Sequence, residues 1–256
     1  MPLMRRTRTT GRLEVSSSVA AIDEFIRILA KGPSPSDLNR GQTPVSINRG
    51  LSPVFNPWRD TDDRDGSPRR DMPMRRRENM AAYLEARHES ARVLLLGEAP
   101  SHRGCRFSGI AFCSETELVT KRGLVGRHPL ALTSADAHVK PQRERSAAVI
   151  WGEIERAAKP FEVVLWNAFP WHPHLADGVK SNRKPRPAEV MRGRAAFDAL
   201  LRCFAKRPHV FAVGKVAEDA LLRWGGIECA GYIRHPAQGG EALFRDGFRR
   251  LVVPRL

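Results

Sequence analysis

Apolar positions along the chain fall into two regimes. From Glu78 onward, short continuous apolar runs alternate with segments whose apolar residues recur at helical spacing. Val93 to Leu96, Val163 to Trp166 and Val210 to Val213 read as strands buried on both faces, and Ile227 to Ile233 and Leu251 to Val253 extend the series. Between them, Met80, Tyr83, Leu84 and Arg87 share one helical face, and helices are expected over Ala147 to Ala158, Ala188 to Phe204 and Ala217 to Trp224. Such alternation predicts an α/β domain with a parallel sheet covered on both faces.

The pattern before Glu78 is weaker. Ser16 to Ala30 predicts a short helix, capped by Ser16, Ser17 or Ser18, with Ala21, Phe25, Ile26 and Leu29 on one face. Gly32 to Met74 is rich in Pro, Gly, Arg and Asp and reads as an arm or extended wrapping, pinned by Val54, Phe55 and Trp58. Arg69, Arg70, Arg75, Arg76 and Arg77 then form a basic stretch, either a solvated face or a set of phosphate contacts. The chain is accordingly divided into a basic N-terminal extension, residues 1–50, with one short helix, and an α/β domain, residues 51–256.

Composition narrows the function. The 256 residues are 41% hydrophobic, enough for one core, and 43 Lys+Arg against 28 Asp+Glu leave a formal charge of +15. No stretch approaches the roughly 20 apolar residues of a membrane span. The charge points to a polyanionic partner, nucleic acid ahead of an anionic membrane, because no long amphipathic basic helix is evident. Cys105, Cys113, Cys203 and Cys229 contain no Cys-x-x-Cys pair, which argues against a zinc ribbon or a locally built iron–sulfur site and for reduced thiols. Met1 to Thr10 is Arg-rich but lacks the apolar segment of a secretory signal. Gly214-Lys215 lacks the spacing of a phosphate-binding loop.

Unusual polar residues sit directly after the strands: Gly97-Glu98-Ala99-Pro100-Ser101-His102, Asn167-Ala168-Phe169-Pro170-Trp171, and Arg234-His235-Pro236-Ala237-Gln238-Gly239-Gly240. In an open parallel sheet the loops after the strands converge on the ligand, so Glu98, Asn167 and His235 are expected to share one cleft. Each also has a plain structural reading: a helix cap, a turn and an ordinary strand end.

Taken in order, these segments resemble the motifs of the uracil-DNA glycosylase superfamily, as an atypical bacterial-type member. Gly97 to His102 combines the Glu-Ala-Pro of one branch with the final His of another; Gly104 to Ser108 is similar to Gly-x-x-Phe-Ser; Val164 to Asn167 resembles the strand ending in a base-reading Asn. Asn182 to Glu189 is similar to the Asn-Arg-x-Pro-x-Pro segment, and His235-Pro236-Ala237 to His-Pro-Ser. The likeness runs from about Phe55 to the C-terminus.

The resemblance implies a three-layer αβα sandwich around a four-stranded parallel sheet, and a monofunctional glycosylase that flips uracil from DNA and hydrolyses its N-glycosidic bond. It implies a uracil site of Gly97, Glu98, Ala99, Ser101, Phe107, Asn167 and His235, with Phe107 as the stacking ring, Asn167 as the base reader, and Glu98 and His235 as catalytic residues. His102, Arg234, Gln238 and Arg245 are the expected DNA contacts. No cofactor or metal is expected: no cysteine precedes Cys105 to build the iron–sulfur cluster of one branch, and His172 with His174 lacks a third ligand. The implied partners are uracil-containing DNA and the abasic product, with the protein a monomer in the cytoplasm, beside the nucleoid in a bacterium.

Departures from the family pattern define the alternatives. Ala99 stands where the best-known branch has a water-positioning Asp, leaving Glu98, or Glu115 if its loop folds back, as the carboxylate. Ser101 replaces a Tyr that excludes thymine, which leaves Phe112 or Ser108 as the wall. A non-catalytic binder of uracil-containing or abasic DNA is the alternative that Ala99 favours, and a small-molecule nucleoside hydrolase is the one that the charge disfavours.

Overall fold

Four fully or partly buried strands, β2 (Val93–Gly97), β3 (Val163–Asn167), β5 (His209–Val213) and β6 (Cys229–Ile233), form a parallel sheet in the order β3-β2-β5-β6. The computed structural model describes residues 10–32, 53–121, 123–125, 130–176 and 178–256. Helices flank the sheet in the three-layer arrangement that its buried strands require. They are α1 (Thr10–Lys31), α2 (Met72–Glu85), α5 (Arg145–Arg156), α6 (Pro187–Leu201), α7 (Lys215–Trp224) and α8 (Glu241–Gly247), with two shorter ones, α3 (Cys105–Ser108) and α4 (Glu115–Thr120). A two-residue ladder joins β1 (Val54–Phe55) to β4 (His172–Pro173).

Helix α1 is longer than the sequence pattern predicts and packs against α2 and α6. Ile22, Phe25 and Leu29, on one face at three- and four-residue spacing, are buried, and the Phe25 ring lies 5.2 Å from that of Trp166 on β3. Two side chains from the main domain satisfy its last carbonyls: Asn56 Nδ2 donates to Leu29 O (2.9 Å) and Ala30 O (3.1 Å), and Trp171 Nε1 donates to Leu29 O at 3.1 Å. Phe55 and Trp58, expected to pin the arm, are buried, whereas the expected segment over 33–52 lies outside the described residues.

Two sequence expectations are corrected. Leu251 to Val253 is not a strand: α8 continues into a π-helical turn over Phe248–Val252 and a tight turn over Val253–Arg255. Phe244, Phe248 and Val252, four residues apart, are all fully buried, so helical periodicity overrides the locally continuous apolar run. Arg76 belongs to neither reading of the basic stretch. It is completely buried, paired with Asp65, and donates to Pro57 O (3.0 Å), Asp60 O (3.2 Å) and Thr133 Oγ1 (3.2 Å).

Arg87 is also fully buried, and none of its hydrogen bonds goes to a carboxylate. Its guanidinium donates to five carbonyls: Val163 (2.9 Å), Tyr83 (3.0 Å), Leu124 (2.7 Å), Gly123 (3.0 Å) and Pro160 (3.1 Å). It lies 3.8 Å from the centroid of the Tyr83 ring, and Tyr83 Oη accepts the Leu165 N–H at 2.9 Å. Since β3 is an edge strand, Val163 O and Leu165 N–H would otherwise face outward unpaired. The Arg87→Met substitution is expected to destabilise the fold by about 3 kcal/mol or more, because several buried carbonyls lose their donor together. Tyr83→Phe removes one acceptor and is expected to cost about 1–2 kcal/mol. Urea unfolding of the two variants should reproduce that order.

Candidate active site

The parallel register places Gly97 opposite Asn167 at the ends of β2 and β3, and His235 follows β6 two strands farther along the sheet. The loops after these strands open on a cleft of ≈ 600 Å³, lined by Glu98, Ala99, Pro100 and Ser101, by Glu144 and Ser146, by Asn182 to Lys184, by Val213 to Val216, and by Arg234, His235, Ala237 and Gln238. Convergence of the first and last expected loops on one cleft is thus observed. Asn167 is not among the residues that line it: it is buried at the end of β3, 3% exposed, with its Oδ1 beside Gly97.

Gly97 is a glycine for a steric reason. A Cβ there would overlap the Phe112 ring and would stand 3.0 Å from Asn167 Oδ1. Phe112 therefore packs on the bare end of β2, beside the Asn167 amide, with its ring centroid 6.0 Å from that of His235. Its backbone is left-handed (φ 50°), a costly conformation for a residue with a side chain, and the surrounding loop enforces it. Trp151 Nε1 donates to Phe112 O at 3.1 Å, while Ser108 Oγ binds Cys113 O at 2.6 Å and accepts the Ile110 N–H at 3.0 Å.

Phe107, the stacking ring expected from the sequence, is placed elsewhere. It is completely buried on the short helix α3, with the Arg106 guanidinium 4.1 Å and that of Arg64 5.1 Å from its centroid, and its carbonyl accepts Thr133 Oγ1. Arg106 is buried with it and pairs with Asp62 and Asp65. The signal for Phe112 was present: Gly109-Ile110-Ala111-Phe112 repeats the Gly-x-x-Phe spacing five residues later. Ser108 is likewise internal, organising the loop rather than walling a pocket. Glu115, the second carboxylate candidate, is buried and saturated by Thr133 N–H, Ser134 N–H, Ser134 Oγ and Gln142 N–H.

Three polar groups at the strand ends keep unused hydrogen-bonding capacity. The Asn167 amide makes no hydrogen bond to any described residue, although buried amides are almost always paired. The Glu98 carboxyl has no hydrogen-bond partner among the described residues; burial raises its pKa, and Lys184 opposes that shift. His235 Nδ1 accepts the Ala237 N–H at 3.1 Å, which puts the proton of a neutral ring on Nε2. Burial, with the Arg234 charge beside it, lowers the His235 pKa to about 4, so the ring is a neutral Nε2–H donor at physiological pH.

The expected DNA contacts divide. Arg234 and Gln238 line the cleft, Arg234 donating to His235 O at 3.1 Å and Gln238 standing exposed at positive φ. His102 turns to Asn182, whose Oδ1 accepts its main-chain N–H at 2.9 Å. Arg245 does not line the cleft: it is paired with Glu153 and Glu241, and Glu153 also gathers Arg156 and Arg249. His172 lies between Pro100 O (2.9 Å from Nδ1) and Val179 O (3.2 Å from Nε2), and its neutral ring donates to one of the two carbonyls.

A sequence model described as the uracil DNA glycosylase superfamily matches residues 86–253. Among solved structures, the chain is similar to the crystal structure of wild-type Pedobacter heparinus SMUG2, with a TM-score of 0.59 and 14% identity over 90% of this chain and 94% of that one. That second likeness is one of fold. No curated protein sequence matches the chain.

Burial pushes the His172 and His235 imidazoles down to about 4, against about 6.5 in an unfolded chain. Between pH 6.5 and 4 the unfolded state therefore takes up protons that the folded state refuses, and stability falls as pH falls through that window. His235→Gln is expected to flatten this decline, read as urea midpoints at pH 7.5, 5.5 and 4.5.

Proposed function

The chain belongs to the uracil DNA glycosylase superfamily, a family of DNA glycosylases, and on that premise we propose that it flips uracil out of DNA and hydrolyses its N-glycosidic bond, leaving an abasic site for repair. The observation that carries this reading is the unpaired Asn167 amide beside the Phe112 ring and the Nε2–H of His235, at the ends of three parallel strands.

The chemistry of uracil fits these groups. An amide donates to O4 and accepts from N3–H, a pattern that cytosine reverses, so Asn167 discriminates the two bases. Phe112, not Phe107, supplies the face on which the extruded base stacks. As the bond breaks, negative charge gathers on O2 of the leaving base, where the neutral His235 donor stabilises it as an oxyanion-site group does. The deoxyribose becomes cationic, and Glu98 supplies the opposing charge. Arg234 and Gln238 at the mouth meet the DNA backbone and the vacated stack. Uracil-containing DNA and its abasic product are the partners, handled by a monomer in the compartment that holds the DNA. Among the described residues no helix is long and apolar enough to cross a membrane.

Ala99 favours a second reading. It is packed against the core and leaves no carboxylate at that motif position, as a binder without turnover would. Incubation with a uracil-containing oligonucleotide, followed by alkali, separates the two: cleavage at the uracil is expected, and a gel shift with no cleavage at enzyme excess would establish the binder.

His235→Ala is expected to lower the single-turnover rate about 10²-fold or more with little change in DNA affinity. Both rings are buried, so Phe112→Ala and Phe107→Ala are each expected to cost stability, about 3–5 kcal/mol where a filled core site is emptied, and only Phe112→Ala is expected to weaken base excision at a temperature where both variants remain folded. Excision assays and thermal unfolding on both variants test this.

A further inference from the structure

The cleft holds a second carboxylate that the strand-end pattern does not reveal. Glu144 stands just before α5, in extended backbone, and its carboxyl lies directly over Gly104, where any side chain would overlap it. Ser101 meets the same spot: its Oγ accepts the Gly104 N–H at 3.0 Å and hydrogen-bonds Glu144. Both residues line the cleft with Glu98 and His235. The other two glutamates of this region are occupied elsewhere, Glu115 by four donors of the 133–142 segment and Glu117 by Ser114.

The surroundings of Glu144 keep it from being a mere ion-pair partner. The groups that act on it are Ser101, from the loop after β2, and Glu117, from α4; it acts in turn on the buried Cys105 of α3 and on Cys113. No cation figures among them. Burial foremost, then the Glu117 charge, raises its pKa to about 7, and the Ser101 hydrogen bond holds it from going higher. A carboxyl in this state is ionised for a large fraction of the time at neutral pH and still basic enough to take a proton.

We propose that Glu144, oriented by Ser101, is the general base of this active site and takes the proton of the attacking water. This rests on the glycosylase reading. In the step, the water oxygen bonds to the anomeric carbon as the bond from that carbon to N1 breaks. The electron pair leaves with the base, whose charge rests against His235 Nε2–H, and the water proton moves to Glu144. Glu98 faces the sugar as counter-charge, so the two carboxylates divide the work that one aspartate does where Ala99 now stands.

Single-turnover release of uracil from an oligonucleotide, followed from pH 5.5 to 9, tests it. The wild-type rate is expected to rise with pH to a plateau, with a midpoint near about 7, because only the ionised carboxylate accepts a proton. Glu144→Gln should lower the plateau about 10²-fold and abolish the limb while DNA affinity persists. Glu98→Gln should slow the reaction and retain the limb. Ser101→Ala removes the bond that favours the ionised form, so its limb should move to higher pH; this variant decides the matter even if Glu144→Gln does not fold. A Glu144→Gln enzyme with wild-type rate and limb, or a Ser101→Ala limb that does not move, overturns the assignment and leaves the glycosylase intact. Absence of release by the wild type would instead remove the glycosylase reading, and this inference with it.

Discussion

A guanidinium with no carboxylate against it secures the edge of the sheet. Arg87 replaces its hydration shell with five carbonyls and the face of Tyr83, and the Tyr83 hydroxyl accepts the Leu165 N–H, which a guanidinium, a donor only, could not. Together they close β3 against further pairing and fix its height relative to β2. The five-residue register between these strands sets Gly97 beside Asn167, directly before Glu98 enters the cleft. An ion pair would not serve as well here, since a carboxylate could satisfy the charge without holding Gly123, Leu124, Pro160 and Val163 to one point.

How much of this was legible follows from which signals are local. The strands β2, β3 and β5 announced themselves as continuous apolar runs, and the topology that follows from alternating elements brought Glu98 and His235 to one cleft. Two Gly-x-x-Phe spacings occur in succession, and only their neighbours in the fold separate them: Phe107 lies against Arg64 and Arg106, Phe112 against the bare end of β2 beside Asn167. Glu144 carried no sequence signal. It precedes a helix and meets Ser101 across a loop, a relation fixed by the fold alone. The helical nature of the C-terminal segment was hidden for the same reason, its face being set by Phe244, Phe248 and Val252 rather than by adjacent residues.

The arginines show how composition misleads. A charge of +15 reads as a coat for a polyanion, yet Arg76, Arg87 and Arg106 lie wholly inside, and Arg245, Arg249 and Arg156 converge on the single carboxylate of Glu153. The first three act as struts, while Arg156 and Arg249 keep more than half of their side-chain surface exposed. Near the cleft, outward charge comes from residues such as Arg234 and Lys184, at the mouth, which sets an attraction for a phosphate backbone beside the strand ends.

The left-handed backbone of Phe112 carries a thermodynamic meaning beyond its placement. A ring packed on Gly97, on a backbone whose carbonyl takes the Trp151 Nε1–H and whose loop Ser108 braces, has given up its freedom when the chain folds, long before any partner arrives. On the proposed stacking role, a flat guest would lose its own mobility there and little of the host's. Selectivity on such a surface resides in the guest, favouring whichever rings leave their previous neighbours most readily.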